Sequence, residues 1–277
     1  MNKTEILKYL HENGLSPNKK LGQNFLVNEA VSGKIVDSAG IIRKTVIEIG
    51  PGLGSLTEIL IQQAASVTAV EIDAGISGFL SEKFKNSSNI KIIHSDFLKY
   101  IDSEKYDAAV GNLPYYCSSE IIFHVIDAFF PETAVFMLQK EMTERLISKA
   151  GDAAYGALSA SVSLYYHYDS SFNVDRHSFF PVPEVTSTVV KLVKNKNIPE
   201  KQVRDMFHLT VKSAFWGKRK TVLKSLSDSP FMNFSRTAVS EALEKSEIDE
   251  KLRAENISTE KFLKLAENLQ KDRDYEI

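Results

Sequence analysis

Gly111-Asn112-Leu113-Pro114-Tyr115-Tyr116 brings an amide side chain, a backbone carbonyl at Leu113 and an aromatic ring into one short turn. Pro114 fixes its own φ and removes a backbone donor, so the turn is stiff and its groups converge. An amide oxygen and a carbonyl can accept the two N–H bonds of a planar amino group while Tyr115 stacks on the ring that carries it. That is the equipment for holding a nucleobase amine. The tetrapeptide also arises as an ordinary strand-to-helix connection, so its meaning depends on the elements that position it.

Upstream lies a nucleotide site. Val46-Ile47-Glu48-Ile49 is an apolar, β-branched run that predicts a buried parallel strand. Gly50, Gly52 and Gly54 follow at once, letting the backbone pass close to a ligand. Ser55 is expected to cap the next helix, with Glu58 completing a capping box. A second strand over 66–70 ends in Glu71-Ile72-Asp73. An acid about 20 residues beyond the glycines is placed to grip ribose hydroxyls. The spacing Gly-x-Gly-x-Gly differs from the dinucleotide fingerprint, and no Gly-Lys-Ser or Gly-Lys-Thr follows to hold phosphates. A third strand over 90–93 leads to Asp96, placed to accept from an adenine amino group, with Phe97 against the base. A ligand with ribose and adenine but no phosphate grip points to S-adenosylmethionine.

The wider chain fits an α/β protein. Strands and helices alternate from 45 to 192, the pattern of a doubly wound sheet. A helix is expected over 4–13, a strand over 134–139 and a helix over 140–150. Strands over 161–168 and 186–193 are expected as a closing antiparallel pair. Residues 194–199 read as a linker. Helices over 203–215, 218–226, 236–245 and 259–270 then form a small all-α domain. The expected division is 1–197 and 198–277, the second part binding RNA. Lys and Arg total 34 against 36 Asp and Glu, so overall charge does not announce a nucleic-acid binder. Its distribution does: 191–224 holds ten basic residues against two acidic ones, including Lys218, Arg219 and Lys220 beside Phe215 and Trp216. The single cysteine, Cys117, excludes an internal disulfide, and the scattered histidines offer no metal-ligand spacing, so no metal is expected. No apolar run reaches the ~20 residues needed to span a bilayer. The N-terminus lacks the apolar core of a signal peptide, and a cytoplasmic setting is expected.

The chain resembles the ribosomal RNA adenine dimethyltransferases, most closely the small-subunit type. Leu21-Gly22-Gln23-Asn24-Phe25-Leu26 carries the resemblance first, then the Glu48 to Gly54 turn, Glu71-Ile72-Asp73 and the Asn112 turn. Phe179-Phe180-Pro181-Val182-Pro183-Glu184-Val185 running to Ser187 follows, and Ala214-Phe215 with 218–221 comes last. The resemblance implies a Rossmann-like class I S-adenosylmethionine-dependent methyltransferase sheet with a small helical C-terminal domain. It implies that Asn24, Leu26, Gly50, Glu71, Asp96 and Asn112 bind the methyl donor and that Phe179 stacks the target adenine. Gly52, Gly54, Ile72 and Phe97 complete the expected donor site, and Leu113, Pro114 and Tyr115 the expected catalytic turn. The implied partner is the small ribosomal subunit or its precursor RNA, and the chain is expected to be a monomer. Three alternatives share parts of this pattern. They are a large-subunit RNA methyltransferase of the antibiotic-resistance type, a DNA adenine methyltransferase, and a non-catalytic assembly or transcription factor on the same fold.

Overall fold

The computed structural model describes residues 3–12, 17–18, 21–217 and 219–275. By packing, the chain forms two compact units, 1–143 with 168–194 and 144–167 with 195–277. The expected division at 197 therefore differs from the packing in one place. Residues 144–167 belong with the C-terminal helices, because α7 (Ala157–Ser163) packs on α8 (Lys201–Trp216) and α11 (Thr259–Tyr275).

The first unit is built on a sheet of seven strands in the order β4-β3-β2-β5-β6-β9-β7. These are β2 (Thr45–Ile49), β3 (Ser66–Glu71), β4 (Ile90–His94), β5 (Ala108–Asn112), β6 (Thr133–Gln139), β7 (Tyr166–Val174) and β9 (Ser187–Lys194). β2 pairs in parallel with β3 on one side and β5 on the other, so Glu48 lies opposite Ala69 and Val110. β3 with β4 and β5 with β6 are also parallel, while β6 and β9 are antiparallel. The chain order therefore reverses between β2 and β5, where open α/β sheets hold ligands at the strands' carboxyl ends. The central strands are largely apolar because both faces are covered, with Glu48 the buried exception in β2. Val46, Val110 and Val135 are at most 1% exposed and pack with Ile35, Val36 and Leu60 from α2 (Glu29–Ala39) and α3 (Thr57–Gln63), and Ile47 is equally buried. A separate two-stranded ribbon joins β1 (Phe25–Leu26) to β8 (Phe179–Phe180), antiparallel, with Leu26 opposite Phe179.

Three local expectations are corrected. Residues 161–168 are not one strand: α7 ends at Ser163 and β7 begins at Tyr166. Ala157 and Ala160 favour helix, and the Ser159 hydroxyl accepts from the Gly156 N–H at the helix start. β7 is the edge strand, exposed along most of its length, so it lacks the alternation that marks a strand in sequence. The Ser55–Glu58 capping box does not form. α3 begins at Thr57, its N-cap is Leu56 without a side-chain bond, and Glu58 pairs with Lys83. The helix expected over 218–226 starts later, as α9 (Val222–Ser227), because the Thr221 hydroxyl caps it by accepting from Lys224 N–H.

In the second unit α8 packs on α9 and α11, and α10 (Arg236–Lys245) packs on α9 and α11. Phe207, Val239, Phe262, Leu265 and Leu269 are fully buried there. Among the described residues no helix is long and apolar enough to cross a membrane.

Candidate active site

At the carboxyl ends of β2, β3 and β5 lies a concave cleft, lined by the glycine turn, the Asn112 turn and the N-terminal motif, where open α/β sheets hold their ligands. Its floor is the glycine turn. Gly50 and Gly52 have φ of +63° and +56°, in the left-handed region that glycine enters freely. A Cβ on Gly52 would also stand 3.3 Å from the Phe25 ring, which closes the cleft from β1. Glu71 ends β3, and its carboxylate accepts from Gly52 N–H at 3.1 Å and Asp73 N–H at 2.9 Å. It thus locks the turn while lining the cleft beside it. Asp73 in turn caps α4 (Ala74–Lys83), accepting from the Gly75 and Ile76 N–H groups.

The Asn112 turn sits where β5 leaves the sheet. Gly111 is required there, since a Cβ would meet the Ile49 carbonyl oxygen at 2.8 Å. Leu113 N–H donates to the Met137 carbonyl, fixing the turn to β6. Asn112 Nδ2 donates to the Asn24 carbonyl at 3.1 Å, so Oδ1 is the end left to accept. Tyr115 is tethered through a 3.0 Å hydrogen bond between its hydroxyl and that of Ser187 on β9. Burial, only partly offset by the Ser187 contact, pushes the Tyr115 phenol up, so the ring faces the cleft uncharged.

The N-terminal motif wraps the same cleft. Gln23 Nε2 donates to Asp73 at 3.2 Å and Gln23 Oε1 accepts from Asn18 N–H, while Asn24 Nδ2 donates to the Gly22 carbonyl. Glu48 reaches in from β2, 1% exposed, with Thr57 Oγ1 donating to its Oε2 at 2.7 Å. Sequence reasoning left Gln23, Glu48 and Ser187 without roles, although each stands in a quoted motif. No short-range pattern shows that Ser187 meets Tyr115 across 72 residues.

Of the expected donor-site residues, Asn24, Leu26, Gly50, Gly52, Glu71, Ile72 and Asn112 line the cleft, as do Leu113, Pro114 and Tyr115 from the catalytic set. Four expected residues do not. The Gly54 position faces Leu80 and Phe84 of the core. Asp96 caps a short turn, accepting from Leu98 N–H at 3.0 Å, and pairs with Lys99. It nevertheless lies near the cleft mouth: its charge helps raise the Tyr116 phenol, after burial and Cys117. Phe97 is buried edge-on to His124 and against Phe129, in an aromatic cluster behind the cleft-lining residues. Phe179 is 2% exposed, its ring in the main core with Leu26, Val174 and Val189.

In the second unit Lys218 lies outside the described residues. Arg219 is exposed, whereas Lys220 pairs with Asp228 at 3.1 Å and stands over the Trp216 ring. The cleft itself is lined by two carboxyls, Glu48 and Glu71, and by no Lys, Arg or His among the described residues. A positively charged ligand with a ribose fits that donor set, and a phosphate-rich one does not.

A largely parallel seven-stranded sheet, a glycine turn with an acid at the next strand end, and an Asn-Leu-Pro-Tyr turn beside them define a class I S-adenosylmethionine-dependent methyltransferase. Solved structures agree. A dimethyladenosine transferase from Plasmodium falciparum matches with a TM-score of 0.72 and 29% identity, covering 87% of this chain and 95% of its own. The 23S rRNA methyltransferase ErmE matches at 0.70 and 28%, covering 89% and 99%. The family described as Ribosomal RNA adenine dimethylase matches residues 14–271, and the chain belongs to it. "Ribosomal RNA small subunit methyltransferase A" of Aster yellows witches'-broom phytoplasma (strain AYWB) is 40% identical, over 89% of this chain and 94% of the relative. The protein of the same name from Bacillus licheniformis is 37% identical, over 94% of each chain.

With the class established, Glu71 acquires a testable role. Glu71→Ala is expected to weaken S-adenosylmethionine binding at least tenfold, while turnover at saturating donor falls less. The variant removes a carboxylate and frees the Gly52 turn together. Unchanged donor affinity by calorimetry would take Glu71 out of the site.

Proposed function

We propose that this protein dimethylates the 6-amino groups of two adjacent adenines in the 3′-terminal hairpin of small-subunit ribosomal RNA, using S-adenosylmethionine. The observation that carries the reading is the orientation of Asn112. Its Nδ2 is held by the Asn24 carbonyl, which leaves Oδ1 as an acceptor within a cleft that also holds Glu71. An adenine amine is a poor nucleophile because its lone pair is delocalised into the ring. Accepting from both N–H bonds, at Asn112 Oδ1 and the Leu113 carbonyl, pulls that nitrogen toward tetrahedral geometry and localises the pair. The same acceptors stabilise the positive charge that develops on nitrogen, by preorganised dipoles. The donor supplies a methyl group already activated on a sulfonium, so alignment carries much of the rate, on the order of 7–11 kcal/mol for well-oriented reactants. Tyr115, steadied by Ser187, stacks on the base, which must leave its helix to reach the turn. After transfer the amine's proton departs to water.

Substrate choice belongs to the second unit in this reading. Arg219 and its basic neighbours meet the RNA backbone, and Phe179 would reach the base only by turning out of the core. The protein acts as a monomer in the cytoplasm and needs no metal ion. The named small-subunit relatives support the small-subunit substrate over the large-subunit alternative.

The test offers labelled S-adenosylmethionine with either immature small subunits or naked large-subunit RNA, with and without a chelator. Dimethyladenosine is expected from the small subunits alone and to persist with chelator. Label in the large-subunit RNA instead would reverse the substrate assignment.

A further inference from the structure

Glu48 is the one cleft-lining carboxyl that the reaction above does not use. Thr57 Oγ1 satisfies its Oε2, but Oε1 is buried without a partner among the described residues. A buried oxygen left unpaired is costly, and pinning α3 to β2 through Thr57 does not require a carboxyl, since glutamine would accept the same bond.

Among the described residues that line the cleft, the surroundings are acidic and carry no positive charge. Glu71 faces Glu48 from the end of β3, with Asp73 beyond it. The turn after β5 contributes the phenols of Tyr115 and Tyr116, and α3 contributes Thr57, with Glu58 drawn off to Lys83. β1 and α1 (Lys3–Glu12) bring Phe25, Leu26 and Ile6, none of them charged. Burial first, and then the Glu71 charge, push the Glu48 carboxyl up to about 8, against the opposing Thr57 hydrogen bond.

We propose that Glu48 is a charge-responsive group of the donor site, protonated in the free protein and ionised when a cationic ligand enters the cleft. The proton leaves to solvent, no other bond changes, and the new carboxylate offsets the ligand's positive charge. This rests on the cleft being the S-adenosylmethionine site. Its consequence is discrimination. S-adenosylhomocysteine keeps the same amino-acid and nucleoside groups but carries a neutral thioether, so it draws less ionisation from Glu48. Methyl transfer then removes the charge that held Glu48 ionised, the carboxyl takes a proton back, and the product is held less firmly.

Calorimetry of the full chain at pH 7, in two buffers of different ionisation heat, reads the proton directly. S-adenosylmethionine is expected to release about one proton, and S-adenosylhomocysteine clearly less. Glu48→Gln is expected to bind both ligands and to lose that difference. In wild type, affinity for S-adenosylmethionine should rise with pH up to about tenfold per unit below pH 8 and then level off, with a flatter profile for the product. Equal proton release for the two ligands, or an unchanged difference in Glu48→Gln, overturns the proposal. If the variant folds poorly, a wild-type affinity for S-adenosylmethionine that does not change with pH, or an identical profile for the two ligands, still overturns the proposal, and Glu71→Gln, expected to keep the difference, assigns it to Glu48 and not to the neighbouring carboxyl. Failure of wild type to bind S-adenosylmethionine at all overturns the donor-site reading itself, and the proposal with it.

Discussion

Asn112→Ala is expected to lower single-turnover methyl transfer by about 10²–10³-fold, the scale of losing one preorganised hydrogen-bonding group at a developing charge. RNA binding in a gel shift should be unchanged, because Asn112 lies in the cleft of the first unit and the basic residues near Arg219 lie in the second. Donor affinity should move far less than the rate, since the glycine turn and Glu71 stay locked to each other. Asn112→Asp is expected to fare no better, despite keeping an acceptor. A carboxylate cannot donate to the Asn24 carbonyl, so the 3.1 Å contact becomes a repulsion between oxygens. It would also add a third acid to a cleft already lined by Glu48 and Glu71. A parallel loss of transfer and RNA binding in Asn112→Ala would sink the catalytic assignment.

The donor half of this site was legible in the sequence because it is local. A buried strand, a glycine turn and an acid at the next strand end recur within about thirty residues, and each leaves its own signature. Glu71, Gly50 and Gly52 therefore fall where expected. What escaped notice depends on long-range contact. Ser187 steadies Tyr115, and the Asn24 carbonyl orients Asn112 across 88 residues of chain. Backbone groups carry no residue-type signal, so the second of these could not be read from side chains. β7 was misplaced because its exposed face is polar, and Asp96 caps a turn near the cleft mouth, an arrangement that looks the same in sequence as an acid that only meets a ligand. The resemblance to a family supplied positions, while hydrogen-bond partners had to come from the fold.

Phe179→Ala carries the largest expected effect on stability. The ring is 2% exposed and packs in the main core with Leu26, Val174 and Val189. Truncating a buried Phe to Ala costs about 3–5 kcal/mol through lost burial and the cavity left behind. For a unit of this size that is a fall of roughly 10 °C in Tm. The damage should spread to the donor site, because Phe179 pairs with Leu26 in the β1–β8 ribbon and Leu26 lines the cleft. Weaker donor binding in Phe179→Ala would then report a loosened wall and say nothing about base stacking. Phe179→Leu separates the two roles. It refills most of the volume, so thermal melts should recover most of the lost stability and calorimetry should return donor affinity close to wild type. If the ring serves the core alone, transfer recovers with them. A Phe179→Leu protein with wild-type stability and donor binding but severely impaired transfer would assign the ring to the target base, and would require it to leave the core when RNA arrives. Wild-type stability in Phe179→Ala would remove the core role altogether.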